Sequence, residues 1–238
     1  MTLERITEKL VRAVSRLRFA APTAYVYNPL DYARATHDAY LTRYAKPTCE
    51  VLLLGMNPGP WGMVQTGVPF GEVNAVRDWL KIDGPIGRPK KEHPKRPVQG
   101  LACPRSEVSG ARLWGWARAT FGTPARFFKR FFVANYCPLA FLEDSGRNRT
   151  PDKLPAAERE PLFAACDEAL RGLIDHLKPR RLIGVGAFAE SRLRAALTTA
   201  DLRIGRILHP SPASPAANRD WSATVTRQFA ELGVALPS

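Results

Sequence analysis

Four short apolar segments divide the chain, and each has the length of a β-strand. They cover residues 51–54, 131–134, 181–185 and 203–208. The first two read VLLL and FFVA, without the polar residues that alternate in a strand with one solvated face. Unbroken apolar runs of this kind are typical of strands covered on both faces. The pattern therefore predicts a buried sheet.

Apolar residues at helical spacing fill most of the intervals between these strands. They predict an amphipathic first helix over residues 3–18 and further helices over residues 30–44, 72–80, 112–121, 155–177 and 216–232. Within the fourth of these, Trp114 and Trp116 are expected to belong to the core. The alternation of strands and helices favours an α/β protein with a mostly parallel sheet.

The first strand runs directly into a turn, GMNPGP, at residues 55–60. Its two prolines restrict φ and its two glycines permit left-handed φ, so the turn is expected to be stiff. Asn57 in this turn stands at the carboxyl end of a strand, where open α/β sheets bind their ligands. A structural interpretation stays open, because asparagine in a turn also satisfies local backbone groups.

Polar residues follow two other strands in the same way. Asn135 comes after residues 131–134, and His209 comes after residues 203–208. Because the carboxyl ends of parallel strands share one edge, we expect these side chains to meet Asn57 at one site. None of the three is a carboxylate, and no serine or cysteine nucleophile is paired with a base. The set predicts recognition of a neutral, hydrogen-bonding ligand, with His209 able to stabilise a developing anion.

The chain is strongly basic, with 35 Lys and Arg against 22 Asp and Glu and a net charge of +13. Such an excess indicates a polyanionic partner, of which nucleic acid is the commonest. Four basic residues, Lys90, Lys91, Lys95 and Arg96, lie in a predicted loop over residues 83–110. Their charge suits a phosphate backbone, whereas the alternative is a solvated loop without a partner.

Cysteines 49, 103, 137 and 166 are scattered singly, without a CxxC pair or a His/Cys cluster. This spacing argues against a zinc or iron–sulfur site and favours reduced thiols in an intracellular protein. The compartment would be the cytoplasm and nucleoid of a bacterium or the nucleus of a eukaryote. No apolar run approaches the roughly 20 residues needed to span a membrane, and the amino terminus does not resemble a secretory signal, so no membrane association is expected.

A second glycine-rich turn, GVGAFA at residues 184–189, follows the third strand. It fits the G-x-G-x-x-A pattern of dinucleotide sites, but the next strand does not end in the acidic residue that would hold a ribose. A nucleotide-dependent enzyme is therefore a weaker alternative.

Four stretches together resemble family three of the uracil-DNA glycosylase superfamily, the single-strand-selective monofunctional enzymes. They read GMNPGPWGMVQTGVPFGE, HPKRPVQGLACPRSEVSGARLWGW, VANYCPL and HPSPASPAANRDW, in matching order between about residues 25 and 235. The resemblance implies a three-layer α/β/α sandwich around a central four-stranded parallel sheet. It also implies a DNA-repair hydrolase that flips uracil or 5-hydroxymethyluracil out of single- or double-stranded DNA, excises it without a cofactor and leaves an abasic site. One domain over residues 1–238 and a monomer are expected.

The motif positions imply roles for individual residues. Asn57 corresponds to the catalytic asparagine that holds the attacking water, and His209 to the catalytic histidine that faces uracil O2. The substrate-binding positions are Met56, Gly59, Phe70 and Asn135. Among these, Gly59 leaves room beside uracil C5, Phe70 stacks on the base, and Asn135 reads its N3 and O4 edge.

DNA binding is expected from the basic loop and from a wedge over residues 210–220 that enters the helix beside the extruded nucleotide. The expected DNA-binding residues are Lys90, Lys91, Lys95, Arg96, Ser211, Pro212, Ala213, Ser214 and Arg219. Some family members carry arginine where this chain has Ala213, so the plug is either missing or supplied by Arg219. Trp61, beside the catalytic turn, is a further feature of the pocket rim.

Two alternatives share this fold. One is a glycosylase that prefers hypoxanthine or xanthine, and the other is a basic nucleic-acid-binding protein without catalytic activity.

Overall fold

The computed structural model describes residues 1–197 and 203–237. Its strands are β1 (Tyr25–Tyr27), β2 (Val51–Gly55), β3 (Phe131–Asn135), β4 (Ala140–Leu142), β5 (Asn148–Arg149), β6 (Arg181–Val185) and β7 (Arg203–Ile207). Its α-helices are α1 (Leu3–Ser15), α2 (Pro29–Tyr32), α3 (Arg34–Tyr44), α4 (Met63–Thr66), α5 (Val108–Phe121), α6 (Pro124–Phe128), α7 (Ala156–Leu177), α8 (Ala187–Ala196) and α9 (Pro215–Glu231).

The four strands predicted from the apolar runs form one parallel sheet in the order β3-β2-β6-β7. Gly55 pairs with Asn135, the last residue of β3, so the ends of these two strands lie side by side. Val185 pairs with Ile207 at the same edge, which brings the ends of β6 and β7 together. The prediction of a central four-stranded parallel sheet is confirmed, and the carboxyl ends of its strands share one edge.

Two glycines show that helices cover both faces of this sheet. A Cβ on Gly184 would overlap the backbone of Glu190 in α8, and a Cβ on Gly205 would lie 2.5 Å from Leu232, directly after α9. Gly205 pairs with Ile183, the neighbour of Gly184, and successive residues of a strand point to opposite faces. α8 and α9 therefore lie on opposite faces, and the predicted three-layer α/β/α sandwich is confirmed.

Each helical layer is tied together by apolar contacts. α7 packs against α1 and α8, while α5 packs against α6 and α9. Trp114 and Trp116 of α5 are 1% and 3% exposed, so their predicted place in the core is confirmed. Trp116 stacks on Phe229 of α9, with ring centroids 5.0 Å apart. Aromatic packing thus fixes the layer that carries the last helix. No helix in the described residues combines the length and apolarity needed to cross a bilayer.

A small antiparallel sheet, in the order β1-β4-β5, was missed by the sequence analysis. Its strands have only two or three residues, too few for a recognisable alternation, and prolines on either side of β1 suggested a loop. The sheet has a clear use, because Tyr27 in β1 anchors the basic loop. The Tyr27 hydroxyl accepts a hydrogen bond from the backbone nitrogen of His93 (2.6 Å) and donates one to the carbonyl of Arg96 (3.0 Å).

Several predicted boundaries were wrong. The helix expected over residues 30–44 is two helices, because Asn28 caps a first short turn that ends at Ala33. Residues 72–80 contain a π-helical turn, Ala75–Trp79, rather than an α-helix. α5 begins at Val108, so the loop predicted to reach residue 110 and the helix predicted to begin at 112 are corrected together. The first helix ends at Ser15, and β7 ends at Ile207.

Candidate active site

A cleft of about 490 Å³ opens at the carboxyl edge of the parallel sheet. Asn57, Asn135 and His209, which come from three different strand ends, all line it. The other lining residues are Met56, Gly59, Pro60, Trp61, Phe70, Ser106, Glu107, Val108, Ser109, Asn148, Thr150, Ser211 and Pro212. The structure therefore brings together the three polar side chains that the strand pattern singled out, along with the other expected substrate-binding positions.

The turn that carries Asn57 is fastened to the segment after β3. The backbone nitrogen of Tyr136 donates to the Gly55 carbonyl (3.0 Å), and that of Cys137 donates to the Met56 carbonyl (2.8 Å). The Asn57 side chain adds a third link, since its Nδ2 donates to the carbonyl of Leu139 at 3.2 Å. With Nδ2 occupied in this way, the orientation of the amide is fixed and Oδ1 is its acceptor for a ligand.

Asn135 sits against an aromatic ring because Gly55 lacks a side chain. A Cβ on Gly55 would overlap Asn135 Oδ1 and would lie 2.5 Å from Cε2 of Phe70. On its other side, the Asn135 amide donates to the sulfur of Met63 at 3.2 Å. Gly55 is therefore needed for the close approach of an amide and an aromatic ring at the base of the cleft.

Phe70 is held in an unusual backbone conformation. Its φ of 52° lies in the left-handed region, which costs energy for a bulky residue and persists only where neighbours enforce it. Here the Phe70 carbonyl accepts hydrogen bonds from Trp114 Nε1 (3.0 Å) and from the backbone nitrogen of Glu72 (2.7 Å). A Cβ on Gly110 would overlap the same carbonyl. α5 thus clamps the residue whose ring faces the cleft.

The hydrogen bonds of His209 define its protonation state. Nδ1 accepts from the backbone nitrogen of Ser211 at 3.1 Å, so in the neutral ring the proton is on Nε2. Burial lowers the pKa of His209 to about 4. At neutral pH the residue is therefore an uncharged imidazole with an Nε2–H donor. Its ring centroid lies 6.0 Å from that of Phe70.

The segment after His209 is anchored by hydrogen bonds from Arg112 and Asn218. Arg112 donates to the carbonyl of Pro210 (3.1 Å) and to the side chain of Asn218 (2.9 Å), and Asn218 donates to the carbonyl of Pro212 (2.8 Å). In the expected wedge, Ser211 and Pro212 line the cleft, while Ala213 and Arg219 are exposed and Ser214 is half-buried. The segment is thus a fixed rim.

Comparison with known families identifies the protein's lineage. The family model of the uracil DNA glycosylase superfamily matches residues 42–232. The chain belongs to this superfamily.

Curated relatives point to the same superfamily. Proteins named single-strand selective monofunctional uracil DNA glycosylase from Mus musculus and Rattus norvegicus are each 53% identical over 228 residues, which is 95% of this chain and 82% of theirs. The Bos taurus protein of that name is 52% identical over 221 residues, or 92% of this chain and 81% of its own. The SMUG2 protein of Pedobacter heparinus has a TM-score of 0.65 over 96% of this chain and 97% of its own, and at 19% identity it shows the fold alone. The prediction of a uracil-DNA glycosylase, a DNA-repair hydrolase, is confirmed.

The basic loop of this glycosylase is ordered around His93, which is 2% exposed. His93 Nδ1 accepts from the backbone nitrogen of Lys95 (2.9 Å), so its Nε2–H donates to the carbonyl of Asp144 (2.9 Å). Lys90, Lys91 and Lys95 are exposed. Among them Lys91 also donates to the carbonyl of Ala24 and lies 4.4 Å from the centre of the Tyr25 ring.

Arg96 lies at the rim of the cleft beside Trp61. Its guanidinium carbon is 5.2 Å from the centre of the Trp61 indole, and that of Arg105 is 4.5 Å away. The four basic residues expected to bind DNA therefore divide into a pair without internal contacts, Lys90 and Lys95, and a pair with them, Lys91 and Arg96.

Glu107 is a cleft residue of the glycosylase that the sequence analysis did not single out. It is the residue before α5, and its half-buried side chain forms part of the cleft wall. Burial and, to a smaller extent, repulsion from the Glu72 carboxylate raise the pKa of Glu107 to about 7. Near neutral pH a large fraction of Glu107 side chains are therefore protonated. The position within SEVSG, in a stretch of loop composition, gave no signal of this burial.

Asn148 and Thr150 were also missed. Asn148 lies in β5, whose pairing with β4 is a tertiary feature, and Thr150 directly follows this strand. Only the position of β5 identifies these two residues as cleft residues. Within the ranges that the structure describes, no group of three or more His, Cys, Asp or Glu residues is arranged to hold a metal ion.

Proposed function

We propose that this cleft binds a uracil nucleotide that has been flipped out of DNA and hydrolyses its N-glycosidic bond, leaving an abasic site. The observation that carries the proposal is the convergence of Asn57, Asn135 and His209 beside the Phe70 ring, in a chain of the uracil-DNA glycosylase superfamily. We further propose 5-hydroxymethyluracil as a second substrate. The chain acts as a monomer of one domain, because a single copy supplies every residue of the proposed site.

Asn135 and Phe70 recognise the base. The amide of Asn135 offers an acceptor to uracil N3–H and a donor to O4, while Phe70 stacks on the ring face. Cytosine presents the opposite pattern at this edge, with an acceptor at N3 and a donor at C4. A fixed amide would then face like groups, and its unpaired polar atoms make that mismatch costly.

His209 stabilises the leaving group. Breaking the glycosidic bond places negative charge on the uracil, including its O2. A neutral Nε2–H aimed at O2 forms a hydrogen bond that strengthens as this charge develops, so it lowers the barrier more than it tightens substrate binding. The Ser211 backbone nitrogen donates a hydrogen bond to His209 Nδ1, which keeps the proton on Nε2 and so supports this role.

Asn57 positions the attacking water. Its amide is too weak a base to generate hydroxide, but Oδ1 can orient a water molecule towards the sugar carbon. This is sufficient when bond breaking runs ahead of attack and the sugar is already electron-poor. Lysine is absent from the cleft lining that the described residues form, so no amine is placed for covalent attack on the sugar. The reaction therefore stops at the abasic site.

Single-stranded DNA is the favoured substrate in this proposal. Flipping a base costs a few kcal/mol from a duplex and less from a single strand. Ala213, exposed at the rim, is too small to fill the gap that a flipped base leaves in a duplex. The name of the curated relatives, single-strand selective, is in line with this preference.

The decisive experiment uses a labelled single-stranded oligonucleotide with one uracil. Incubation followed by hot alkali should cut the strand at the uracil position, and omission of the alkali should leave it intact. The double variant Asn57→Ala and His209→Leu is the matched inactive control. Alkali-stable DNA after incubation with the wild-type protein would overturn the proposal.

A panel of oligonucleotides separates the two alternatives on this fold. Faster release of hypoxanthine or xanthine than of uracil would indicate a different base preference. Binding of every oligonucleotide without any abasic product would indicate a protein that binds nucleic acid but does not cut the glycosidic bond.

A further inference from the structure

The Glu107 carboxyl group occupies the space beside Gly59 of the catalytic turn and Gly62, which follows that turn. A Cβ on Gly59 would lie 2.9 Å from Glu107 Cδ, and a Cβ on Gly62 would lie 2.8 Å from the same atom. The same two Cβ atoms would also overlap the carboxyl oxygens of Glu107. The one on Gly59 would overlap Oε1, and the one on Gly62 would overlap Oε2. The absence of side chains at these two positions therefore brings Glu107 against the turn.

This close approach is not compensated by any polar contact of the carboxyl group. Glu107 forms no ion pair and its side chain accepts no hydrogen bond from the described part of the chain, and the nearby Glu72 carboxylate repels it. Glu107 is half-buried and lines the cleft, so its carboxyl group is accessible to a ligand there. The raised pKa of Glu107 reflects the same lack of a partner. The carboxyl group is thus a polar wall of the cleft that awaits a polar ligand.

The order of atoms in the uracil ring indicates which part of a ligand meets this wall. In the proposed function, O2 faces His209 and the N3 and O4 edge faces Asn135. The next ring atom after C4 is C5, which lies on the side of the ring away from O2. The family correspondence places Gly59 beside C5, and the Glu107 carboxyl group lies against Gly59.

We propose that Glu107 determines specificity at C5 of the pyrimidine by hydrogen-bonding a polar substituent there, such as the hydroxyl of 5-hydroxymethyluracil. This inference rests on the proposed function and adds a residue to it. The hydroxyl can donate to an ionised carboxylate or accept from a protonated one, so the pair forms in either state. The methyl group of thymine cannot do either, and it would leave Glu107 desolvated and unpaired.

The test is a ratio measured within each variant. The kcat/KM values for 5-hydroxymethyluracil and for uracil are determined on otherwise identical single-stranded oligonucleotides, for the wild type, Glu107→Leu and Glu107→Gln. Because both substrates meet the same enzyme preparation, the ratio does not depend on the fraction that folds. Leucine matches the size without polarity, whereas glutamine keeps both the size and a hydrogen-bonding group.

We expect the ratio of 5-hydroxymethyluracil to uracil excision to fall about tenfold or more in Glu107→Leu and to stay within about threefold of wild type in Glu107→Gln. Excision of thymine relative to 5-hydroxymethyluracil should rise in the leucine variant. An unchanged ratio in Glu107→Leu, or an equal fall in both variants, would overturn the role of Glu107 while leaving the proposed function intact. Failure of the wild type to release uracil would instead overturn the proposed function itself.

Discussion

Gly186 makes room for His209 across the ends of neighbouring strands. A Cβ on Gly186 would lie 3.2 Å from the Cβ of His209, and the φ of Gly186 is 93°, a conformation that residues with side chains rarely adopt. The backbone nitrogen of Gly186 also donates to the Ile207 carbonyl at 2.9 Å, close to where the histidine turn begins. The glycine directly after β6 therefore sets the position of the imidazole that follows β7.

We expect Gly186→Ala to reduce both activity and stability. The new methyl group would strain the backbone by about 1–3 kcal/mol and push His209 away from its present position. Uracil release should fall at least tenfold, and the free energy of unfolding in urea should drop by a similar 1–3 kcal/mol.

Gly115→Ala is the matched control for that substitution. Gly115 lies within α5, and a Cβ there would meet nothing within 4 Å. Alanine in a helix interior is favoured over glycine by about 0.5–1 kcal/mol, so this variant should be fully active and slightly more stable. Full activity of Gly186→Ala would show that the contact does not position His209.

His209→Leu removes the proposed donor to O2 without leaving a gap. We expect uracil excision to fall by about two to three orders of magnitude, the range seen when an oxyanion donor is removed. Single-turnover kinetics with excess enzyme measures this effect, and a filter-binding assay should show almost unchanged DNA affinity. Equal single-turnover rates would remove His209 from the mechanism.

Asn135→Ala tests base recognition separately from DNA binding. The amide contacts only the base in the proposed mechanism, so its loss should lower kcat/KM for uracil while affinity for undamaged DNA stays nearly constant. A parallel loss of affinity for undamaged DNA would indicate that the substitution disturbs the rim as a whole.

The main elements of the site could be predicted because their sequence signals are local. The run Val51–Leu54 is unbroken and apolar, and each of its four residues is 0% exposed in the sheet. An unbroken run indicates burial on both faces, which in turn indicates parallel neighbours and a shared edge. The strand pattern therefore predicted that Asn57, Asn135 and His209 lie at one edge, and all three line the cleft there.

The rest of the cleft could not be predicted because it depends on tertiary contacts. Glu107 comes from a loop composition without periodicity, and Asn148 from a strand of two residues. The glycine pattern that includes Gly186 did indicate that some group approaches the backbone closely there. Sequence alone does not identify that group, so the pattern suggested a dinucleotide. In the structure the group beside Gly186 is the side chain of His209.

Buried His37 predicts a loss of stability in acid. It is 7% exposed, its Nδ1–H donates to the Gly67 carbonyl (2.9 Å), and burial lowers its pKa to about 4. An unfolded histidine titrates near 6.5, so between about pH 6.5 and 4 the unfolded chain binds more protons. Stability is thus fully present above pH 6.5 and decreases as pH falls through this window.

The expected loss from His37 between pH 7 and pH 5 is about 1–2 kcal/mol. Urea unfolding at the two pH values measures it in wild type and in His37→Gln, which does not titrate. Other groups contribute alike to both proteins, so the variant should lose less stability than the wild type. An equal loss would show that His37 is not held neutral by the fold.

The salt dependence of DNA binding should reveal which basic residues contact phosphate. Lys90, Lys91 and Lys95 are all exposed, but Lys91 and Arg96 already have partners within the chain. We therefore expect Lys90 and Lys95 to provide the phosphate contacts among these four residues. For single-stranded DNA each contact contributes about 0.7 to the slope of log affinity against log salt concentration, so replacing both with glutamine should reduce that slope by about 1.4. Lys129→Gln is the control, because Lys129 is exposed at the opposite edge of the sheet, just before β3. A slope that stays constant in the double variant, or falls equally with Lys91→Gln alone, would place the phosphate path elsewhere on the surface.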